Sequence, residues 1–491
     1  MIAEIQNRLL ATGLLLKRPA IYYGDSIIAY DELFNAVLIV AEILRSCGIR
    51  TGDRVAFFLP DCPLMVFIIL ASAEIGAVYC GMNIKASPDE NTVLLRQCRA
   101  QLIIYDDSLE QVTPEMEDIG SISSDEMEKH LDGKRYGPMP RVSGTAHDLD
   151  FGISFTSGTT GISKGVFHTV ADFFLCGQAC ISRWGIGADD IVFSSAPLLT
   201  TLSLGSAVFP ALLSGGGLVI SGKRTAAEII TTIERYHCTF LVANPTICRR
   251  MLKEKVACSA MNHGLRGITV AGAPVQPELG TAFRREFRCR VFPHYGMTEL
   301  LAITSTGIVA ENDTVGQPLG HVRLRIMDGD CRECAPGETG KIMVKSRTMT
   351  SNYLQTECTL PVVGEGWFDT GDLGRIDHEG NLQITGRSKE MIIRNGNNVF
   401  SQEIECRLLQ YAGIIDCAVI GIPERDLGEK IVAFIASCEA LLEGDVKKYL
   451  ASQLPVYKIP DEIVFVGEVS RNANQKINRE RLRQQYEQRR T

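Results

Sequence analysis

Short apolar runs alternate with longer amphipathic stretches over the first two-thirds of the chain. Arg54–Pro60, Gln101–Asp106, Asp190–Ala196, Gly217–Gly222, Thr239–Asn244 and Gly267–Ala273 each hold a few consecutive hydrophobic residues between polar or turn-forming ones, as short strands do. Tyr30–Cys47 and Pro63–Ala77 carry helical patterns between them. This rhythm, from about residue 20 to about 310, predicts β-α-β units and a mostly parallel sheet. Two stretches are apolar enough to suggest a membrane. Leu64–Cys80 is shorter than the roughly 20 residues of a span and contains Glu74. Ile191–Gly222 is broken by Pro197, Pro210 and Gly215–Gly217. Both suit the interior of a large α/β domain, where central strands are covered on both faces.

Near residue 315 the period changes. Val322, Leu324 and Ile326 alternate with polar residues, and Lys341–Lys345 and Asn381–Thr385 follow with turn residues between them. That is the pattern of a small antiparallel sheet or barrel. From about 389 onward the pattern is that of a compact α+β unit. It has helices near Ser401–Leu409 and Gly444–Leu454 and strands at Cys417–Ile422 and Ile431–Ala436. The expected fold is α/β, with a large domain over 1–388 and a small mobile α+β domain over 389–491. No linker in the composition marks that boundary; a motif at Arg387–Lys389, taken up below, does.

With 491 residues the chain exceeds one hydrophobic core, which agrees with more than one domain. Hydrophobic content of 45%, charged content of 22% and a net charge of −8 are ordinary for a globular protein and argue against nucleic-acid binding. Arg471–Thr491 departs from this balance, with seven basic and two acidic residues. It reads as a solvated surface helix or as a local site for an anion. The 16 cysteines have no repeating spacing, and Met1–Leu16 carries Glu4 and lacks a basic start before its apolar run. Free thiols and a cytoplasmic location are therefore expected, with no signal peptide. Cys331 and Cys334 form one CxxC pair in a Gly/Asp/Pro-rich stretch, and a turn is expected there rather than a metal site.

The chemistry concentrates in a few strings. In Ser154–Val166 an apolar strand runs into Thr156, Ser157, Gly158, Thr159, Thr160 and Gly161, and then Lys164. Glycines let the backbone approach an anion. Successive N–H groups and hydroxyls can cradle phosphate, and the lysine adds a positive charge. The spacing is not that of the GxxxxGK[ST] phosphate loop. With these residues the chain resembles the adenylate-forming superfamily of acyl- and aryl-CoA ligases, luciferases and peptide-synthetase adenylation domains, over essentially its whole length. That family has Pro where this chain has Ser163.

The resemblance extends to four more strings. In Pro293–Glu299 it implies that Tyr295 packs on adenine, Thr298 bonds the α-phosphate and Glu299 helps hold Mg²⁺. An aromatic face and a hard carboxylate suit those tasks. Gly272, Ala273, Pro274, His294 and Gly296 would line the nucleotide. In Gly366–Gly374, Asp372 would accept both ribose hydroxyls, as an acceptor-only carboxylate can. In Ile384–Glu405, Arg387 would contact the ribose, Lys389 would be the hinge of the small domain, and Gly396 would border the thiol tunnel. In Ser470–Arg483, Lys476 would be the catalytic lysine, although Gln475 stands where most members have Gly.

The expected reaction is activation of a carboxylic acid as its acyl-adenylate with pyrophosphate release, then acyl transfer to a thiol. Lys164, Thr298 and Lys476 would stabilise the charge that builds up on the phosphates. The cofactors implied are ATP, Mg²⁺ and coenzyme A, or a carrier-protein phosphopantetheine in place of CoA. The acid should lie near Thr200 and Thr201, the strand end Ala271–Pro274, His294 and Leu301. No acidic residue occurs in Ile191–Gly222, so a substrate ammonium would be left unpaired in an apolar setting. An aryl, fatty or other small acid without an α-amino group is expected. A reading of another class, a nucleotide-binding regulator with impaired catalysis, is suggested by Ser163, Thr200 and Gln475.

Overall fold

The protein was analysed as a computed structural model that describes all residues except 113–117, 132–147, 157–163, 223–224, 258–263, 274, 276, 308–313, 355–358, 425–426, 472–476 and 490–491. Two parallel-rich sheets dominate it. The nine-stranded sheet runs Gln317–Pro318, Leu301–Ser305, Arg290–Met297, Gly267–Val270, Phe240–Ala243, Ile191–Ser194, Gly217–Val219, Pro19–Tyr23, Ser26–Ala29. Its interior pairs are parallel and its edge pairs antiparallel. The six-stranded sheet runs Gly120–Ser123, Leu102–Tyr105, Arg54–Phe58, Val78–Gly81, Asp150–Thr156, Lys164–Thr169, parallel except for its last pair.

Helices fill the space between these sheets, and the reason is written in their composition. Pro63–Ile75 is apolar apart from Ser72 and Glu74 and almost wholly buried, with Glu74 paired to the N-terminal ammonium at 2.9 Å, so it belongs where both sides are covered. Pro63 starts it and Gly76, at φ 72°, ends it in the left-handed conformation that glycine adopts without strain. Val170–Trp184 begins with a reciprocal cap between Thr169 and Asp172 and ends at Gly185. The main core joins Phe57, Tyr79 and Phe151 of one sheet to Val192, Phe240 and Phe292 of the other through these helices and Tyr30–Ser46. The apolar stretch Ile191–Gly222 is the strand, buried helical segment and strand that its proline and glycine breaks predict. Among the described residues, no helix is long and apolar enough to cross a membrane.

The change of period near 315 corresponds to a five-stranded antiparallel sheet built from Val322–Met327, Gly340–Ser346, Trp367–Ile376, Val362–Val363 and Leu382–Arg387. Cys331 and Cys334 lie in the turn between its first two strands. A second five-stranded sheet holds Asn397–Phe400, Met391–Arg394, Gly428–Ser437, Ile414–Glu424 and Glu462–Val466. Ser401–Leu408 and Glu443–Gln453 cover one face of it and Arg479–Gln488 the other. The basic C-terminal segment is therefore no freely solvated helix, because Leu482 and Tyr486 are buried against that sheet. Asn397, Asn398 and Val399, which the resemblance puts in a loop that rotates into the site, lie in a strand.

Three histidines, His168, His294 and His321, are buried, and burial pushes each from 6.5 down to about 4. A depressed folded pKa contributes stability above the unfolded value that is lost as pH falls through the folded one. Each histidine accounts for at most roughly 3 kcal/mol at about 1.4 kcal/mol per pKa unit. Denaturant midpoints should therefore fall steadily from pH 6.5 to pH 4. A His168→Gln variant should show a shallower fall over that window; an unchanged slope would contradict the assignment.

Candidate active site

The strands Asp150–Thr156 and Lys164–Thr169 pair antiparallel with Thr156 opposite Lys164. Ser157, Gly158, Thr159, Thr160 and Gly161 join them and lie outside the described residues. Lys164 holds its Nζ 4.7 Å from the centre of the Tyr353 ring. The backbones are close enough to make this contact. Val166 bridges Tyr353, and the Leu354 N–H donates to the Gly165 carbonyl at 2.8 Å. A Cβ at Gly165 would come within 2.8 Å of the Leu354 Cβ, so glycine is required there by packing.

Tyr353 also reaches the second string. Its hydroxyl donates to Glu299 Oε1 at 3.0 Å. Thr298 and Glu299 sit in the turn between Arg290–Met297 and Leu301–Ser305. That reversal is tight. A Cβ on Gly296 would fall 2.4 Å from the Leu301 carbonyl oxygen, and Leu301 itself is at φ 57°. A branched residue at positive φ is strained, and such strain persists only where surrounding contacts impose it. Gly296 is thus explained by close packing of the turn.

Tyr295, in the same strand, donates its hydroxyl to Asp372 Oδ2 at 2.6 Å. Arg387 Nε lies 2.8 Å from Asp372 Oδ1, and the two residues are cross-strand partners in the antiparallel sheet. The carboxylate is 3% exposed. Burial raises the Tyr295 pKa, and the Asp372 charge and its hydrogen bond raise it further, so the hydroxyl stays protonated and donates. For Arg387, burial acts to lower the pKa, but the charges of Asp372 and Glu390 outweigh it. Each carboxylate oxygen has one neighbour here and a further lone-pair site for another donor.

The segment carrying Thr200 and Thr201 is held between the two sheets. Leu198 N–H bonds Asp61 Oδ1, and Leu199 packs on the bare Cα of Gly81. Thr200 caps the turn Thr201–Ser203 by accepting the Ser203 N–H at 3.1 Å. Ser203 Oγ in turn meets Ser194 Oγ at 2.7 Å. A π-helical turn follows at Leu204–Val208, a distortion the sequence did not announce. Ala271 is buried at the end of its strand, Gly272 is at φ 86°, Ala273 is exposed, and Pro274 lies outside the described residues.

Other predicted residues stand apart. Among the described residues, no hydrogen bond or ion pair joins Lys389 or Gly396 to the Asp372 cluster. Lys389 lies exposed in the short turn Ser388–Glu390, where Glu390 pairs with Arg479 at 3.2 Å. Asn395 and Gly396, at φ 49° and 75°, form a two-residue turn between the paired strands Met391–Arg394 and Asn397–Phe400. Asn-Gly with both φ positive is the preferred hairpin connection, so the turn alone accounts for this glycine. Lys476 lies outside the described residues. The pairing of Arg471 with Ile477 closes the segment that carries it. Sequence reasoning missed Tyr353, which no local pattern marks, and the Asn-Gly hairpin, which the dipeptide and its apolar flanks could have revealed.

The chain is similar to known proteins over nearly its whole length. Residues 15–354 match the model of the AMP-binding enzyme family, and residues 403–476 match that of the AMP-binding enzyme C-terminal domain. The indoleacetate–CoA ligase of Aromatoleum aromaticum is 30% identical over 96% of each chain. The feruloyl-CoA synthase of an Amycolatopsis species is 26% identical over 95% of this chain and 96% of its own. The o-succinylbenzoate CoA synthetase of Bacillus subtilis, solved with its acyl-adenylate intermediate, superposes with a TM-score of 0.85 at 25% identity, over 98% of this chain and 97% of its own. The same synthetase has been solved with ATP and a magnesium ion. The chain belongs to the AMP-binding enzyme family. Within it, the chain is an acid–thiol ligase of the AMP-forming kind.

Tyr353→Phe removes the hydroxyl and leaves the ring beside Lys164. Loss of one hydrogen bond to a half-buried carboxylate should lower unfolding stability by roughly 1 kcal/mol, measured by chemical denaturation. An unchanged midpoint would mean that Glu299 does not depend on it.

Proposed function

We propose that this protein is an ATP-dependent, aryl-acid–CoA ligase. The observation that carries this reading is the way one reversed turn holds both halves of the site. Tyr295 leads to Asp372 and Arg387, and Glu299 leads through Tyr353 to Lys164. The tyrosine that holds the buried carboxylate for two ribose hydroxyls then lies on the same short stretch as a carboxylate for a hard cation. Glu299 fits Mg²⁺ by its donor chemistry, with one oxygen oriented by Tyr353. When bound, the ion neutralises charge on the triphosphate.

In the first step one oxygen of the substrate carboxylate attacks the α-phosphorus of ATP, and pyrophosphate leaves. Lys164 faces the phosphates, and Thr298 bonds the α-phosphate through its hydroxyl. Lys476 bridges the attacking carboxylate and the phosphate with a compact charge on a long stem. In the second step a thiolate attacks the acyl carbon of the mixed anhydride and AMP leaves. Residues 389–491 turn on Lys389 between the steps, which withdraws Lys476 and brings the Gly396 turn to the site.

CoA is the favoured acceptor, because the relatives named above are all CoA enzymes, and nothing comparable supports a carrier protein. Their acids are aromatic, which narrows the earlier choice of aryl, fatty or small acid. A cytoplasmic setting agrees with every described cysteine being free.

Pyrophosphate exchange over a panel of acids tests the reading. Aryl acids should support exchange, and CoA should then release AMP. Asp372→Asn and Lys476→Met should each lower adenylate formation on the order of 100-fold. Lys476→Met should still form thioester from supplied acyl-adenylate. Exchange with α-amino acids alone, or AMP release untouched by both substitutions, would refute the proposal.

A further inference from the structure

Resting on the ligase reading above, we infer that Tyr353 is a positioning residue that keeps Lys164 and Glu299 from neutralising each other. One uncharged side chain receives both charges. The ammonium of Lys164 lies 4.7 Å from the centre of the Tyr353 ring, and the hydroxyl of that ring donates to Glu299 Oε1 at 3.0 Å. The face of an aromatic ring is its negative side and draws a cation. The phenolic hydrogen is positive and draws a carboxylate. Among the described residues no ion pair joins Lys164 to Glu299, although the same tyrosine touches both.

The backbone fixes Tyr353 in this place. Residues 348–354 follow the strand Gly340–Ser346 without forming a strand of their own, yet they are anchored at both ends. Thr348 Oγ1 donates to the Leu300 carbonyl at 2.7 Å, and Thr350 N–H donates to the Glu299 carbonyl at 2.9 Å. These two bonds seat the segment on the turn that carries Thr298 and Glu299. At its other end Tyr353 bridges Val166, and Leu354 N–H donates to the Gly165 carbonyl. That end is seated on the strand that Lys164 begins. The buried Tyr353 ring therefore stands where the two anchored elements meet.

Without the ring, a direct ion pair is the expected alternative. Opposite charges attract more strongly where water is partly excluded, and Lys164 and Glu299 are both half-buried. The flexible four-carbon stem of a lysine lets its ammonium follow a nearby carboxylate. Once paired, each charge would be spent on the other. A triphosphate would have to pull the lysine away, and a hard cation would meet a carboxylate already neutralised. With Tyr353 between them both groups are held in place, and a phenol carries no charge to cancel either one.

A double-mutant cycle on the unliganded protein tests this by chemical denaturation. Lys164→Met and Glu299→Gln should act nearly independently in the wild type. In a Tyr353→Leu background they should be coupled, with an unfolding constant that departs from independence by roughly 5-fold, the worth of a new ion pair. Tyr353→Phe keeps the ring beside Lys164 but releases the carboxylate. It should show coupling of the same sign and smaller size, and it carries the test if the leucine variant does not fold. Calorimetry with ATP in a metal chelator reads the consequence for the ligand: Glu299→Gln should improve binding by a larger factor in the Tyr353 variants than in wild type. Coupling already present in wild type, coupling absent from both variants, or an ATP factor no larger than in wild type would overturn the role of Tyr353 and leave the ligase reading standing. Failure of the wild type to bind ATP both with Mg²⁺ and without it would sink both.

Discussion

A single buried carboxylate ties the molecule together. Asp372 belongs to the antiparallel sheet, Tyr295 to the nine-stranded sheet, and Arg387 to the strand that leads into the small C-terminal sheet. A charge so little exposed is tolerable only if its lone pairs are used. The hydroxyl and the guanidinium meet that need, and in doing so they lock the relative position of two sheets. The same cluster is where a ribose would dock. On the proposed reading, structural necessity and nucleotide recognition are served by the same atoms, and a change at Asp372 is expected to disturb both.

The turn at 296–301 is the second constraint. Gly296 and the left-handed Leu301 let the chain reverse with almost no separation between strands. The crown of that reversal carries Thr298 and Glu299 on an anchored base. Thr350 N–H donates to the Glu299 carbonyl, and Tyr353 holds its side chain. Side chains on a strained but over-determined turn are pre-organised, so in the proposed reaction little reorganisation would be left for them. Tyr353 extends this support to Lys164, which begins the strand after the glycine- and threonine-rich string.

Such an arrangement also explains the unequal roles of motif glycines. Gly165 and Gly296 are demanded by backbone packing, because any side chain would strike Leu354 or the Leu301 carbonyl. Gly396 is demanded by a hairpin turn. Gly272, like Gly396, has positive φ and open space around it, so its backbone conformation rather than packing calls for glycine. Equal letters in family strings thus answer to different physical causes.

The amino-acid sequence by itself determined whatever depends on local period and turn chemistry. The parallel-rich architecture followed from alternating strands and helices. The largely apolar Pro63–Ile75 helix announced a place between layers, and the switch to a two-residue period near 315 announced the antiparallel sheet. The residue types in the motifs carried the reaction class. Tertiary structure alone decided which side chains meet. Tyr295 and Asp372 lie 77 positions apart and Tyr353 and Glu299 54 apart, and no local pattern encodes such pairs. The same holds for the edge-on contact of His294 with Trp184, which arises only when strand register and a covering helix are brought together. Side-chain partners across long separations are chosen by packing of the whole core, and that is a property of the folded chain rather than of any window of its sequence.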